Sequence, residues 1–176
     1  SNHSSQDFSI LPQQKEDLVK QLCEQTTKKF HTYRWYTKPC TKVKWQTDIK
    51  TKNNNPLIYA SFGSGEDTTL ILGGVHPDEL TPIHLAFRFA RYLEANPQVY
   101  KDKGLRIVVA PLVNPDGFFR KRPIRTNANQ IDVNRNFATV DWYSQSLSSW
   151  KSRKGARNRY FPGYFPNTEI ETIFQV

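Results

Sequence analysis

Residues 68–79 read TTLILGGVHPDE, and this stretch decides the fold that the sequence predicts. Its apolar run has the length of a buried strand, and the Gly-Gly pair marks the end of that strand. Residues 81–93 then predict a helix. That helix places three apolar side chains on one face: Leu85, Phe89 and Leu93. A second apolar run at 105–112 predicts another strand, and the order strand, helix, strand favours a parallel pair.

The segments before this unit supply further elements of the same kind. Residues 13–30 predict a helix, because apolar side chains recur there at helical spacing. Residues 41–47 and 57–62 predict two more strands, separated by a polar turn. Together the elements predict an α/β fold with a mixed, largely parallel twisted sheet and helices on both faces.

The amino-acid composition of the chain argues against several classes of function. The chain has 176 residues, of which 37% are hydrophobic and 23% charged, and its net charge is +9. No apolar run approaches the length of a membrane span, so we expect no membrane-spanning segment. The basic residues are spread along the chain, with dense clusters only at 120–125 and 151–159, so we expect no nucleic-acid partner. Cys23 and Cys40 permit one disulfide without showing that it forms, and the lack of a Cys/His cluster excludes a zinc finger.

Both apolar strands end in polar sequences, and in open α/β sheets sites form at the carboxyl ends of strands. The first strand runs into His76 and Glu79, an imidazole and a carboxylate three positions apart. At that spacing both can point toward one cation, and zinc accepts this mixed set of nitrogen and oxygen ligands. A catalytic zinc site needs one more protein ligand and an open position for water. By itself the pair is weak evidence for a metal site, since a histidine and a glutamate beside a turn are more often surface residues.

A third segment, residues 125–137, reads RTNANQIDVNRNF and is rich in side chains that bind anions. Arginine presents a rigid fork that holds a carboxylate at two points, and asparagine adds an amide donor. A solvated or salt-bridged surface loop is the alternative interpretation of this segment taken alone.

Four ordered strings give the sequence its resemblance to a known family. They are H-x-x-E at 76–79, N-P-D-G at 114–117, the segment 125–137, and FPGYFPNTEIET at 161–172. In this order they resemble the zinc metallocarboxypeptidases, whose fold is carboxypeptidase A-like, and the compact motif style resembles bacterial murein-peptidase-type members. The resemblance covers roughly residues 57–176, and Gln130 stands where the family usually has glycine.

The resemblance implies a metal centre. His76 and Glu79 match two of the zinc ligands. Asp132 matches the carboxylate that accepts a hydrogen bond from the ligand histidine, which fixes the tautomer and raises the basicity of that ligand. Zinc is therefore the expected cofactor.

The resemblance also implies a substrate clamp. Asn134 and Arg135 match the pair that grips the substrate's terminal carboxylate. Arg125 matches the arginine that polarises the scissile carbonyl and stabilises its oxyanion. The turn at 114–117 is interpreted as structural, shaping the loop that leads to Arg125.

Three further groups that the resemblance implies have no match: a downstream histidine as third zinc ligand, a late glutamate as general base, and a tyrosine over the substrate. The chain has four histidines: His3, His31, His76 and His84. His84 lies in the predicted helix, where we expect it to pack or to face solvent. We therefore expect residues 1–176 to be a single incomplete domain truncated at its C-terminal side, with 1–40 as an N-terminal helix and extension and 41–176 as the catalytic-domain portion. A remaining C-terminal fragment would then be a partner, and this chain alone is expected to bind zinc weakly or not at all and to be inactive.

The last segment, residues 169–176, begins a helix with Asn167 or Thr168 as its cap. Glu169 and Glu171 at this helix start are interpreted as capping or structural residues, because carboxylates favour the N-terminal end of a helix. A role as substitute general base is the less favoured interpretation.

The implied activity is zinc-dependent hydrolysis of a peptide bond next to a free terminal carboxylate. Some of the bacterial members that the sequence resembles trim cell-wall peptides, so the resemblance implies murein stem peptides as substrates. A basic protein suits an anionic cell wall. This substrate suggests a periplasmic or secreted enzyme, although a cytoplasmic one stays open. Asp78 stands where digestive-type members have arginine, which argues against a digestive-type specificity subsite. Two alternatives remain: a zinc N-acyl-amino-acid hydrolase of the aspartoacylase or desuccinylase type, and a catalytically silent carboxylate-binding module.

Overall fold

Four strands form one open mixed sheet in the computed structural model, which describes residues 6–176. The strands are β1 (Gln46–Lys50), β2 (Pro56–Phe62), β3 (Asp67–Leu72) and β4 (Leu105–Ala110). The helices are α1 (Lys15–Thr32), α2 (Leu80–Ala95), α3 (Pro115–Phe118), α4 (Trp142–Arg153) and α5 (Ile170–Phe174). Short 3-10 turns lie at Pro12–Gln14, Pro97–Val99, Val133–Arg135 and Asn158–Tyr160. Residues 1–5 of the predicted N-terminal extension lie outside the described residues.

The strands are ordered β1-β2-β4-β3 across the sheet. β3 and β4 pair in parallel, with Leu70 opposite Val108, and α2 connects them, so the predicted strand-helix-strand unit is confirmed. The pairs β1/β2 and β2/β4 are antiparallel. The mixed α/β class is therefore confirmed, but the expectation of a largely parallel sheet is wrong for these strands. The reason is local, since a short turn such as 51–55 can join only antiparallel neighbours.

One face of the sheet carries most of the core. Ile58 of β2 packs there against Leu22 and Phe30 of α1 and Phe87 of α2, all of them buried. The two long helices therefore cover the same face. On the opposite face the described helical cover is α5, where a ring-to-ring distance of 6.4 Å joins Phe174 to Tyr59. Helices do lie on both faces, but they cover the two faces unequally.

The predicted buried strand at 68–72 is in fact an exposed edge strand. Residues 67–70 are exposed, and Leu70 keeps 46% of its surface. This exposure has two causes. Among the described strands β3 pairs with β4 alone, and the described helices cover one face of the sheet sparsely. The apolar run therefore predicted the presence of the strand correctly, but the prediction that the strand is buried is wrong.

The predicted strand at 41–47 is also misplaced, since β1 begins at Gln46. Trp45 lies before the strand and packs against the core, and its Nε1 donates to the Cys40 carbonyl at 3.3 Å. A disulfide joins Cys40 to Cys23 of α1, with 5.8 Å between their Cα atoms. The apolar alternation thus came from a loop that the disulfide holds against α1.

The predicted helix at 81–93 is present, but its buried face differs from the one expected. Leu85 keeps 52% of its surface and Phe89 is only partly buried. The buried residues of α2 are Ile83, Ala86, Phe87, Ala90 and Leu93. Both sets have helical spacing, and only the direction of the sheet decides between them. In the part of the chain that the structure describes, no helix is both long and apolar enough to span a bilayer.

Candidate active site

Backbone hydrogen bonds fix the start of the site where β3 ends. Gly73 N–H donates to the Ala110 carbonyl at 2.8 Å, and Val113 N–H donates to the Gly73 carbonyl at 2.9 Å. Gly74 follows with φ at +65°, a conformation that glycine adopts without steric penalty. The chain then turns out of the sheet and presents His76, whose side chain is 12% exposed. The Gly-Gly pair therefore orients the backbone that carries His76, the candidate metal ligand.

Asp132 joins the two halves of the site. One carboxylate oxygen lies 2.9 Å from His76 Nε2 and accepts the Asn134 backbone N–H at 3.1 Å. The other accepts a hydrogen bond from Arg125 Nε at 2.7 Å. Burial of Asp132 disfavours its charged form, but the bonds from His76 and Arg125 outweigh burial and hold its pKa below the usual value. A single fully buried carboxylate therefore positions the candidate metal ligand and the candidate oxyanion arginine.

The proton position on His76 determines what the ring can bind. An ionised Asp132 accepts the proton on Nε2, which leaves the Nδ1 lone pair free. Nδ1 lies 3.9 Å from Oε1 of Glu79, whose side chain is 63% exposed and free to adjust. Two atoms bound to one tetrahedral zinc lie roughly 3.4 Å apart. The pair therefore has the donor types and nearly the spacing that zinc requires.

A third ligand is not among these neighbours. Within residues 6–176 no group of three or more histidine, cysteine or acidic side chains is arranged to hold a metal ion. His84 stacks on Trp35, with 4.5 Å between the ring centroids. Packing was one of the two outcomes expected for this residue. Burial, followed by the charges of Arg88 and Arg91, lowers the pKa of His84. His84 is thus a packed neutral ring at neutral pH.

The N-P-D-G turn shapes the approach to Arg125, as predicted. Asn114 is fully buried, and its side-chain oxygen accepts the Gly117 N–H at 3.0 Å. Its amide nitrogen lies 3.4 Å from the Arg125 carbonyl oxygen, to which it donates. A Cβ on Gly117 would lie 2.7 Å from the Thr126 carbonyl oxygen, so no larger residue fits. The turn is therefore structural, and it anchors the loop that carries the arginine.

Tyr160 was not predicted from the sequence, yet it contacts three cations. Its ring centre lies 5.1 Å from the guanidinium carbon of Arg125, 5.0 Å from Lys154 Nζ and 5.2 Å from the guanidinium carbon of Arg159. Arg159 also pairs with Asp78 at 3.0 Å. An aromatic face attracts cations, so Tyr160 stabilises the Arg125 guanidinium in addition to the bond between Arg125 and Asp132. Arg159 and Lys154 lie close to Tyr160 in the sequence, but Arg125 is distant, and no local pattern marks the contact with Arg125.

Asn134 and Arg135 lie on the 3-10 turn that follows Asp132, and both are exposed. Arg135 Nη1 donates to the Asn134 carbonyl at 3.1 Å, and among the described residues its guanidinium forms no ion pair. The guanidinium is therefore free to bind an anion. The structure brings four of the predicted residues together around Asp132: His76, Glu79, Arg125 and Asn134.

Glu169 and Glu171 are structural, as one part of their interpretation proposed. Asn127 Nδ2 donates to Glu169 at 2.8 Å and to Glu171 at 3.0 Å, and all three side chains are buried. The capping part is wrong, since Glu169 occupies the N-cap position of α5 but its side chain makes no capping bond. Asn167 and Thr168 lie before that position. The carboxylates face Asn127 because the Arg125–Arg135 loop packs against this helix start.

Gln130, the residue that replaces the usual glycine, has φ at +61°. This left-handed conformation closes the turn in which Gln130 N–H donates to the Asn127 carbonyl at 3.0 Å. Glycine adopts it without penalty, whereas other residues do so at about 1–2 kcal/mol. The sequence departure therefore introduces local strain and leaves the turn intact.

Comparison with known proteins places this arrangement in a family. The family model described as zinc carboxypeptidase, Peptidase_M14, matches residues 42–175. Murein peptide amidase A of Escherichia coli K12 is 31% identical over 120 residues, which cover 66% of this chain and 46% of that protein. The chain therefore spans about half the length of the curated relatives it matches.

Solved structures agree on the fold. Bovine thrombin-activatable fibrinolysis inhibitor, in complex with a tick carboxypeptidase inhibitor, is 19% identical at a TM-score of 0.59, covering 90% of this chain and 52% of that one. Carboxypeptidase A of Helicoverpa armigera is 20% identical at a TM-score of 0.58, covering 90% of this chain and 40% of that one. The fold is thus that of the carboxypeptidases, and the family match extends over most of the sequence. The chain belongs to the zinc carboxypeptidase family.

Proposed function

We propose that these residues form part of a zinc-dependent peptidase that cleaves the bond next to a free terminal carboxylate, with murein stem peptides as substrates. The observation that carries the proposal is the Asp132 carboxylate, which is shared by His76 at 2.9 Å and Arg125 at 2.7 Å. It supports a site in which a metal ligand and an anion-stabilising arginine face one substrate. The murein substrate is supported by the relative named murein peptide amidase A and by the net charge of +9.

The donor set supports zinc at His76 Nδ1 and the Glu79 carboxylate. A bound zinc would lower the pKa of a water and polarise the substrate carbonyl. Since residues 6–176 offer two such ligands and a catalytic zinc site uses three, we infer that activity requires further residues for the third ligand and the general base. Asp132 keeps the His76 proton on Nε2 and so keeps Nδ1 available.

The arginines and Asn134 perform the remaining steps. Arg135 and Asn134 hold the terminal carboxylate, which places the adjacent peptide bond at a fixed distance from the metal ligands. Among the described residues the terminal N–H groups of Arg125 make no hydrogen bond, so they can donate to the carbonyl oxygen as negative charge develops on it. Cleavage next to the free end follows from this division of roles.

The disulfide bears on where the protein works. Cys23 and Cys40 are joined, and such bonds persist mainly in oxidising compartments. This supports a periplasmic or secreted location for the enzyme.

The proposal is tested by digesting purified muropeptides with the natural protein in the presence of zinc, followed by mass spectrometry. The expected products come from one cut beside a free carboxylate, and the same peptide amidated at its terminus stays intact. Arg135→Ala abolishes cleavage, whereas Arg88→Ala, an exposed arginine on α2, leaves it unchanged. Unchanged muropeptide masses would remove the murein substrate. Cleavage of N-acyl amino acids instead of muropeptides would identify the N-acyl-amino-acid hydrolase alternative. Peptide binding without cleavage would identify the catalytically silent binding module.

A further inference from the structure

The charged residues that line a cleft beside Arg135 are mostly cations. The cleft lies between α4 and the segment 158–162, and its volume is about 290 Å³. Three cations line this basic cleft, Arg135, Arg153 and Lys154, against one carboxylate, Asp141. The cleft therefore carries a surplus of two positive charges in a small concave space, where the low-dielectric walls concentrate their field.

The cations of the basic cleft are not neutralised by the fold. The ion pairs of the described residues involve other side chains, and Arg135, Arg153 and Lys154 take part in none of them. Nearby Arg159 is different, since it pairs with Asp78 at 3.0 Å. Like charges gathered without partners destabilise the folded state. An anionic ligand can therefore bind these three cations without first breaking an ion pair.

The basic cleft is continuous with the candidate active site. Arg135 belongs to both. Tyr160 lines the cleft, and its ring centre lies 5.0 Å from Lys154 Nζ and 5.1 Å from the guanidinium carbon of Arg125. Because Arg135, Arg153 and Lys154 line one cleft, a single ligand can contact Arg135 together with Arg153 or Lys154.

We propose that the basic cleft binds a second anionic group of the substrate, so that Arg153 and Lys154 select substrates with a negative charge close to the free carboxylate. The proposal rests on the carboxylate clamp assigned to Arg135 above and adds a substrate class to it. The clamp recognises any free terminus, whereas the cleft distinguishes a terminal residue with an acidic side chain from its neutral isostere.

Isothermal titration of the natural protein with two peptides, identical except for a terminal Glu or Gln, tests the proposal. The Glu peptide is expected to bind roughly tenfold more tightly, because two exposed cations each contribute a few-fold. Arg153→Ala combined with Lys154→Ala should reduce this preference to less than about twofold and leave the Gln peptide unaffected. Lys151→Ala is the matched control, since Lys151 has the same charge on the same helix and does not line the cleft.

The outcomes separate the two proposals. Equal binding of both peptides, lost in Arg135→Ala, would overturn the role of the basic cleft and leave the clamp standing. A preference reduced as much by Lys151→Ala as by the cleft substitutions would also overturn it, since general charge would then explain the effect. Binding of neither peptide would overturn the clamp and the cleft together. A tenfold preference sensitive only to the cleft substitutions supports both.

Discussion

Replacing Glu171 by glutamine should make the protein more stable at alkaline pH. Glu171 is 2% exposed, and its carboxylate accepts a hydrogen bond from Asn127 at 3.0 Å. Burial raises its pKa from 4.5 to about 7, with Asp116 and Glu169 raising it further and the Asn127 bond opposing them. The folded protein therefore holds a proton that the unfolded chain releases between these two pH values.

The direction and size of the effect follow from linkage. Because the folded pKa of Glu171 lies above the unfolded one, its contribution to stability is complete below pH 4.5 and is lost as pH rises through about 7. Each unit of difference corresponds to about 1.4 kcal/mol, so the full loss is about 3 kcal/mol. Most of it, about 2 kcal/mol, falls between pH 5 and pH 8. Glutamine keeps an oxygen acceptor for Asn127 and carries no charge at any pH.

Urea unfolding at pH 5, 6, 7 and 8, followed by tryptophan fluorescence, measures this. Glu171→Gln should exceed the wild type by less than about 1 kcal/mol at pH 5 and by about 3 kcal/mol at pH 8. Glu66→Gln, at an exposed carboxylate, is the control and should follow the wild type throughout. Parallel pH profiles of wild type and Glu171→Gln would refute the reasoning, since they would mean that the folded protein holds this carboxyl ionised.

Substitutions at three further places test other parts of the structure: the disulfide, Gln130 and Asp132. Replacing Cys23 and Cys40 together by serine opens a connection of 17 residues and should lower the free energy of unfolding by about 3 kcal/mol, while a reductant that lowers wild-type stability leaves the double variant unchanged. Gln130→Gly should stabilise by less than about 1 kcal/mol, because relief of the positive φ exceeds the added chain entropy, whereas Gln130→Val should destabilise; the reverse order in urea unfolding would contradict the strained turn. Asp132→Asn should weaken zinc binding by about 10–100-fold in chelator competition, since it disturbs the bond that fixes the His76 tautomer, and unchanged affinity would exclude that role.

Much of the candidate site was predictable because its motifs are local. His76 and Glu79 are three residues apart, and Asp132, Asn134 and Arg135 lie on one turn, so short strings specify their relative positions. The structure adds the bond between Asp132 and His76, which spans 56 residues and had only the family resemblance to predict it. Residue spacing alone carries no information about such a contact.

The misplaced features share a physical cause. On α2 the exposed Leu85 and the buried Ile83 each belong to a set of apolar residues at helical spacing. On β3 Leu70 is as apolar as a residue of a core strand, yet it is exposed. In both elements burial depends on what packs against each face. The helix α4 has little apolar periodicity and an exposed surface, so its sequence showed no recognisable pattern. The contact of Tyr160 with the distant Arg125 likewise left no local pattern. The burial of these residues and the contacts of Tyr160 depend on long-range packing, which local patterns in a single sequence do not reveal.

Anomalous diffraction at the zinc edge, from crystals of the natural protein soaked in zinc, shows whether His76 and Glu79 hold the metal. We expect one strong peak bonded to Nδ1 of His76 and to the carboxylate of Glu79, with Nε2 of His76 still donating to Asp132. A peak at Nε2, a peak that leaves Glu79 unbound, or zinc bound only elsewhere would contradict this expectation.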